Sequence, residues 1–277
     1  MKIILSRKGF DSSNGGKFSP IFSDGSMLSL PIPGKDISAD NIDYNDLHFN
    51  NTKVSHILKD LGYNADKNSN YCHLDPDLDA KRRLLPIKNW KPAFGQTNQA
   101  AGYLKNCKVE PGDLFLFFGN FKHVEYKNNK YSYVKKSSIK NNPYMGTPLQ
   151  IIWGYMQIGE IITNPSKIKE YYWHPHACNK RLAEKNNTLF IPAERLSFAP
   201  LMPGHGLFNY NEKRVLTNLG ASRACWKYNP AYDVDNLVIT NRKNSSKTQN
   251  QIYYAGIWQE IVLKDNSVTN TWAKSIF

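Results

Sequence analysis

The chain has few cysteines and no long hydrophobic run, and both absences restrict its class. Its 277 residues include only four cysteines, and no two of them form a Cys-x-x-Cys pair. This argues against a zinc knuckle and a disulfide framework, so we expect reduced, mostly structural thiols. No apolar segment approaches the roughly 20 residues of a membrane-spanning helix, and the apolar start is too short for a signal peptide. The sequence therefore predicts a cytoplasmic protein with no membrane partner.

Several common enzyme motifs are also missing from the sequence. It contains no Walker loop, no G-x-G-x-x-G, no G-x-S-x-G and no H-E-x-x-H. These patterns normally mark NTPases, dinucleotide-binding proteins, α/β-hydrolases and zinc proteases. Each of those classes therefore loses its usual support.

Acidic residues are scarce relative to basic ones. The chain has 23 Asp and Glu against 36 Lys and Arg, which gives a net charge of +13. Such a surplus is typical of proteins that bind nucleic acid or anionic lipid. The 16 Tyr and 6 Trp favour nucleic acid, because bases stack on aromatic rings while phosphates contact Lys and Arg. DNA or a nucleotide is thus the expected partner, although the composition also fits a chain encoded by an AT-rich genome.

A short apolar strand at the N-terminus ends in a polar turn that contains glycine. This turn brings together Ser6, Arg7, Lys8 and Asp11. Two cations and a hydroxyl, next to glycines that allow close backbone approach, suit a phosphate or a nucleotide. A surface hairpin with solvated charges explains the same residues equally well.

The remaining patterns predict an α+β fold in one domain over residues 1–277, built on a mixed or antiparallel twisted sheet. Asp24-Gly25 indicates a tight hairpin turn, and helical spacing or apolar runs indicate the other elements. The predicted helices are 52–61, 98–106, 166–172 and one containing Leu78, Leu84 and Leu85; the predicted strands are 114–118, 149–162, 188–191 and 255–263; a linker-like loop is predicted at 241–250.

Three residues with chemical potential alternate in one short segment: His73, Asp75 and Asp77. In extended backbone this spacing points all three side chains the same way. Such a cluster can bind a divalent metal, or pair a general base with its orienting carboxylate. The competing interpretation is that Asp75-Pro76 caps the following helix and that Asp77 lies at its N-terminal dipole.

Two further histidines, His174 and His176, lie on one side of an extended tripeptide. They can supply half of a metal site, or contact a phosphate and stack on a base. With His73 and Asp75 they would complete a four-ligand set, but one sequence does not show whether these residues meet in space. The cofactor stays open, with a divalent metal as the candidate.

Other polar residues have weaker signals. Gln96 carries the donor and acceptor needed to read a base edge, unless it is buried and bonds its own turn. Arg223 lies near Trp226 in sequence. The two residues are either a ligand-binding pair or an Arg at a strand end that packs on a core Trp. Cys178 and Cys225 could be nucleophiles, but the sequence alone gives no support for that role.

Segments along nearly the whole chain resemble one known family. They are the opening from Ser6 to Pro33, then Tyr71–Asp77, Phe94–Gln96, Gly112–Gly119, Tyr155–Ile161, His174–His176 and Asn187–Phe190. The chain resembles the third class of nucleotide-modification-associated domains, which are encoded near bacterial and phage systems that alter DNA bases. This resemblance implies an association with nucleotide modification and specifies no reaction.

A shorter segment resembles the PUA-like fold of EVE-type domains. A turn ending in Gly112-Asp113 precedes an apolar strand, a basic loop and a strand with Trp153-Gly154. This resemblance implies a small twisted β-barrel core with a pocket for an unstacked base, where Trp153 or a neighbouring aromatic residue would contact the base.

Three functions therefore remain open. In the first, the protein is an enzyme that acts on a nucleobase or nucleotide; the second is a non-catalytic reader of modified or flipped bases, and the third is a generic basic component that neutralises phosphates. For the enzyme we expect proton transfer by Asp11, His73 and Asp75. The expected nucleotide-binding residues are Ser6, Arg7, Lys8, Gln96, Trp153, His174, His176 and Arg223.

Overall fold

The structure is a computed structural model that describes residues 1–34, 42–136, 142–239, 247–248, 251–253 and 259–277. Its α-helices are α1 (Val54–Asp60), α2 (Asn98–Asn106), α3 (Pro165–Lys169), α4 (Asn179–Leu182) and α5 (Ser267–Ser275). Its strands are β1 (Ile3–Arg7), β2 (Ser19–Ile21), β3 (Ile32–Pro33), β4 (Ile42–Asp43), β5 (His48–Phe49), β6 (Thr52–Lys53), β7 (Tyr71–His73), β8 (Phe94–Gln96), β9 (Leu114–Lys127), β10 (Lys130–Tyr133), β11 (Leu149–Ile162), β12 (Thr188–Pro192), β13 (Arg195–Leu196), β14 (Ala199–Pro203), β15 (His205–Leu207), β16 (Cys225–Lys227), β17 (Lys247–Thr248), β18 (Gln251–Tyr253) and β19 (Glu260–Leu263).

One mixed sheet forms the centre of the fold. Its strand order is β19-β1-β9-β11-β12-β8, and β2, β10 and β15 pair with this path. Strand β1 runs parallel to β9 and antiparallel to β19, so the two ends of the chain meet in the same sheet. The sheet curls into a half-barrel. The predicted α+β fold on a mixed twisted sheet is confirmed.

Aromatic packing in the main core fixes strand β8, which borders the site described below. The ring of Phe94 lies 5.0 Å from that of Phe115 and 5.1 Å from that of Phe117. Fully burying a side chain of this size stabilises the fold by about 1.5–3 kcal/mol. Because Phe94 is followed directly by Gly95 and Gln96, this packing also determines where those two residues lie.

A second buried cluster holds the turn that follows β1. Phe10 packs against Tyr63, with ring centroids 5.5 Å apart, and against Tyr44 at 6.5 Å. Gly15 has a φ of +86°, and a Cβ there would come within 2.4 Å of the Phe10 ring. Glycine is therefore required at this position, both for the left-handed backbone and for the ring.

Most elements predicted from hydrophobic patterns are present. Helices α1 and α2 confirm the first two predictions, and β11 and β12 confirm the strands at 149–162 and 188–191. The turn at Asp24-Gly25 is also confirmed: the Gly25 N–H donates to the Phe22 carbonyl at 3.0 Å, and Gly25 has a φ of +82°. Helix α3 is shorter than predicted and ends at Lys169.

Two local predictions were wrong. The helix expected around Leu78 is only a 3₁₀ turn at Ala80–Arg82, begun by Asp79. Leu84 and Leu85 are 43% and 80% exposed, so the segment has no continuous apolar face to bury. The basic loop expected after residue 118 is instead a β9–β10 hairpin, because Asn128 and Asn129 adopt the left-handed conformations of a two-residue turn, with φ of 53° and 57°.

Two predictions fall partly outside the described residues. Within the expected linker at 241–250, only Lys247 and Thr248 are described, and they form β17. Residues 255–258 of the last predicted strand lie outside the described part, while its second half is β19. Among the described helices, none is long and apolar enough to cross a membrane.

Candidate functional site

One cleft brings together segments that are far apart in sequence. It has a volume of about 380 Å³ and lies where β1, β7 and β8 end. The predicted site residues that line it are Arg7, Lys8, Asp11, His73, Asp75, Gln96 and His176. The N-terminal turn, the His73 segment and the second histidine segment therefore share one cavity.

Asp75 is the centre of a cluster of imidazoles. One carboxylate oxygen, Oδ1, accepts the Gly95 N–H at 2.8 Å and lies 3.2 Å from His174 Nε2. The other, Oδ2, lies 3.8 Å from Nε2 of both His73 and His176. Burial opposes ionisation, but the hydrogen bond with His174 outweighs it and lowers the pKa of Asp75 below its ordinary value. Asp75 is therefore a carboxylate at neutral pH.

His176 is held in one tautomer by Asn187. The Asn187 side-chain amide nitrogen donates to the His176 carbonyl at 3.0 Å, so its oxygen is the atom 2.8 Å from His176 Nδ1. An amide oxygen only accepts, so Nδ1 carries the proton and Nε2 has a lone pair. Burial lowers the pKa of His176 to about 3. The ring is therefore neutral, with its lone pair on the side of Asp75.

His174 supports the cluster from behind and does not line the cleft. It is buried, and its Nδ1 accepts the His176 N–H at 3.2 Å. The proton of neutral His174 is therefore on Nε2, toward Asp75 Oδ1. The four-ligand set considered from the sequence thus reduces to three cleft residues, His73, Asp75 and His176, whose candidate ligand atoms lie within 4.8 Å of one another.

The cations of the cleft are held by carboxylates. Arg7 Nη2 lies 3.6 Å from Asp11 Oδ2, and Lys8 Nζ lies 3.1 Å from Glu260 Oε1. The Lys8 ammonium also lies 4.5 Å from the centre of the Phe94 ring. Burial lowers the pKa of Arg7, but an arginine remains charged at neutral pH. A guanidinium has five N–H donors, so its pairing with Asp11 leaves donors for a ligand.

Asp11 has a structural task in the turn. Its Oδ1 accepts the backbone N–H groups of Ser13 and Asn14, both at 2.8 Å, and the Asn14 side-chain amide at 3.0 Å. These bonds close the loop that presents Arg7. A role of Asp11 in proton transfer stays a prediction, with less support than one for His73 or Asp75.

Besides His174, three predicted nucleotide-binding residues do not line the cleft. Ser6 is buried and donates to Glu260 Oε1 at 3.1 Å. Trp153 is 4% exposed and stacks on Phe117 at 5.7 Å between ring centroids. The Arg223 guanidinium lies 5.7 Å from the centre of the Phe18 ring, and Arg223 lines a different pocket.

Sequence reasoning missed Arg181, Asn187 and Glu260. Arg181 lines the cleft and pairs with Glu184 at 3.1 Å. Glu260, 2% exposed, accepts hydrogen bonds from Ser6, Lys8 and the Gln96 side-chain amide. An acidic residue at the start of an apolar strand was the available signal for Glu260, because a buried carboxylate needs partners.

Comparison with known proteins identifies one relationship. No curated protein matches the chain, and no solved structure does. The family model described as nucleotide modification associated domain 3 matches residues 2–264. This match includes every residue of the cleft named above. The chain belongs to the nucleotide modification associated domain 3 family.

Proposed function

We propose that the protein is an enzyme of nucleotide modification, that it acts on a nucleotide or on a nucleobase of DNA, and that the cleft is its active site. The observation that carries this proposal is the position of the His73, Asp75 and His176 cluster in the same cavity as Arg7 and Lys8. A structural cluster would need no cations beside it and no open face.

The cationic side of the cleft fits a phosphate group. Arg7 is the last residue of β1 and Lys8 follows it, and Arg181 approaches from α4. Their carboxylate partners hold these side chains in place, so less conformational entropy is lost when an anion binds. The cavity of about 380 Å³ falls within the usual size of small-ligand sites, about 300–1,000 Å³.

The base would lie near Gln96. The Gln96 side-chain nitrogen donates to Glu260, which leaves the amide oxygen as an acceptor for an exocyclic amine of a base. His73, Asp75 and His176 would then perform the chemistry, with Asp75 as a carboxylate and with the His176 ring oriented by Asn187. This assignment adds His176 to the expected catalytic residues and gives Asp11 the task of holding Arg7.

The reader alternative has less support than the enzyme. It expected Trp153 or a neighbouring aromatic side chain to contact the base, and Trp153 is buried against Phe117. A resemblance to PUA-like domains stays a prediction. The enzyme proposal does not depend on it.

Mass spectrometry of nucleosides tests the proposal. DNA and the free nucleotide pool would be isolated from host cells that lack the gene, carry it, or carry a His73→Ala variant. Both samples would then be converted to nucleosides. We expect a change in nucleoside composition that needs the intact gene and is lost in His73→Ala. The exposed His56 of α1 offers a control, and His56→Ala should behave as the unaltered protein. Identical nucleoside profiles with and without the gene would refute the proposal.

A further inference from the structure

We infer that His73, Asp75 and His176 bind one divalent transition-metal ion at the wall of the cleft, with coordination positions left open toward the cavity. This inference deepens the proposed function, because the ion would lie where the substrate binds. It makes a separate claim about the chain that can be measured without any activity.

The spacing of the three side chains fits a single ion. Asp75 Oδ2 lies 3.8 Å from Nε2 of each ring, and the three candidate ligand atoms lie within 4.8 Å of one another. Ligand atoms on an ion with bonds of about 2.1 Å are roughly 3.0–3.5 Å apart. The observed cluster is slightly wider than a filled site, and small rotations of the two rings would close it.

The surroundings orient the ligands as they do in metal sites. Asn187 Oδ1 accepts a hydrogen bond from the Nδ1–H of His176 at 2.8 Å, which leaves Nε2 unprotonated on the side of the carboxylate. The Gly95 N–H holds Oδ1 of Asp75 at 2.8 Å, and His174 contacts the same oxygen. Oδ2 is thereby left for the ion. Such outer hydrogen bonds fix the ring orientation and the tautomer of ligating histidines.

The donor set identifies the class of ion. Two imidazoles and one carboxylate suit Fe²⁺, Co²⁺ or Zn²⁺, whereas Mg²⁺ and Ca²⁺ prefer oxygen ligands alone. Three protein ligands leave at least one position for water or substrate, which is the arrangement of catalytic rather than structural ions. Because Arg7 and Lys8 line the same cavity, a phosphate held by them would place the rest of a nucleotide near the ion.

Metal titration of the purified full chain tests this inference. The protein is stripped with a chelator and titrated with Co²⁺ without oxygen, followed by visible absorption and calorimetry, with Zn²⁺ and Fe²⁺ as competitors. We expect one Co²⁺ per chain, displaced by either competitor. His73→Ala and His176→Ala should abolish this binding, and His56→Ala, a surface histidine, should retain it.

Two variants of Asn187 separate a metal site from a merely structural cluster. Asn187→Asp keeps an oxygen for the Nδ1 proton and should keep Co²⁺ binding, whereas Asn187→Leu should lower the affinity about 10–100-fold. Circular dichroism checks that each variant is folded. If His176→Ala does not fold, the Co²⁺ titration of His73→Ala tests the site, because His73 is less buried.

Two outcomes would overturn the inference: a folded protein that binds no Co²⁺, or stoichiometric binding that survives His73→Ala. The proposed function can fail independently. Metal binding without any nucleoside change would refute the enzyme proposal and support the metal site. A nucleoside change by a metal-free protein would refute the metal site and support the enzyme proposal.

Discussion

The imidazole of His176 lies so close to the backbone of Gly95 that a Cβ on Gly95 would come within 2.3 Å of the ring. The N–H of the same glycine donates to Asp75 Oδ1. One residue of β8 therefore packs against the histidine and holds the carboxylate. The cluster can assemble at this strand because the strand has no side chain at this position.

Gly95→Ala should displace the His176 ring. Overpacking of this kind lowers the free energy of unfolding by about 1–3 kcal/mol, and we expect the nucleoside change to disappear with it. Urea unfolding measures the first effect. As a control, Gly102→Ala places its Cβ 3.4 Å from the nearest neighbour in α2, where Ala is the better helix former by about 1 kcal/mol. A Gly95→Ala protein with unaltered stability would contradict this account.

Glu260→Gln should destabilise the floor of the cleft. The buried carboxylate accepts from Ser6 and Lys8, each at 3.1 Å, and an amide in its place leaves Lys8 without a counter-charge. We expect the free energy of unfolding to fall by about 1–3 kcal/mol. Glu125→Gln is the matched control, because its partner Lys127 is 71% exposed and exposed pairs contribute about 0–1 kcal/mol. An equal loss in the free energy of unfolding in the two variants would show that the buried contacts of Glu260 add no more stability than an exposed ion pair.

His123→Phe should reduce the sensitivity of the fold to mild acid. Burial lowers the pKa of His123 to about 4, against about 6.5 in an unfolded chain. Between these values the unfolded state binds a proton that the folded state does not, so stability falls as the pH drops from about 6.5 toward 4. Removing the group should reduce this slope by up to about 1.4 kcal/mol per pH unit.

Urea unfolding near pH 7 and near pH 5 measures the effect of His123→Phe. His176, whose pKa burial lowers to about 3, acts in the same direction, so part of the slope should remain. His56→Phe alters an exposed histidine and should leave the slope of the unaltered protein. A His123→Phe protein that loses as much stability as the unaltered protein would contradict the assignment.

Arg7→Gln should weaken the binding of nucleotides but not of nucleosides. A hydrogen bond to a charged group contributes about 1.5–3 kcal/mol, so a nucleoside monophosphate should lose about 10–100-fold in affinity. Calorimetry measures the affinity for a nucleoside and for its monophosphate separately. Arg195→Gln, which alters an exposed arginine of β13, should leave both affinities unaltered. An equal loss for the nucleoside would mean that Arg7 does not bind the phosphate.

Local sequence patterns predicted the helices and strands in which apolar residues recur at a regular spacing. Helix α1 buries Val54, Ile57 and Leu58, which is the spacing from which it was predicted. Strand β11 was predicted with both of its bounds because most of its residues are apolar, and its first ten residues are buried. The helix expected near Leu84 failed because Leu84 and Leu85 face solvent, and sequence spacing does not show exposure.

The candidate site was only partly predictable, because its contacts join distant parts of the chain. Polar residues in unusual local patterns, such as His73 and Asp75, were found from the sequence. Glu260 was not, because its partners Ser6 and Gln96 lie 254 and 164 residues away. Asn187 was named only as the start of a family segment, since its bond to His176 depends on how β12 pairs with β8.

A crystal structure of the protein with a nucleoside monophosphate shows whether this cleft binds a nucleotide. We expect phosphate density against Arg7 and Lys8, with the base side of the ligand beside Gln96 and facing His73, Asp75 and His176. A nucleotide bound in another pocket, such as the one lined by Leu104 and Ile168, with this cleft empty, would show that the cleft is not the nucleotide site.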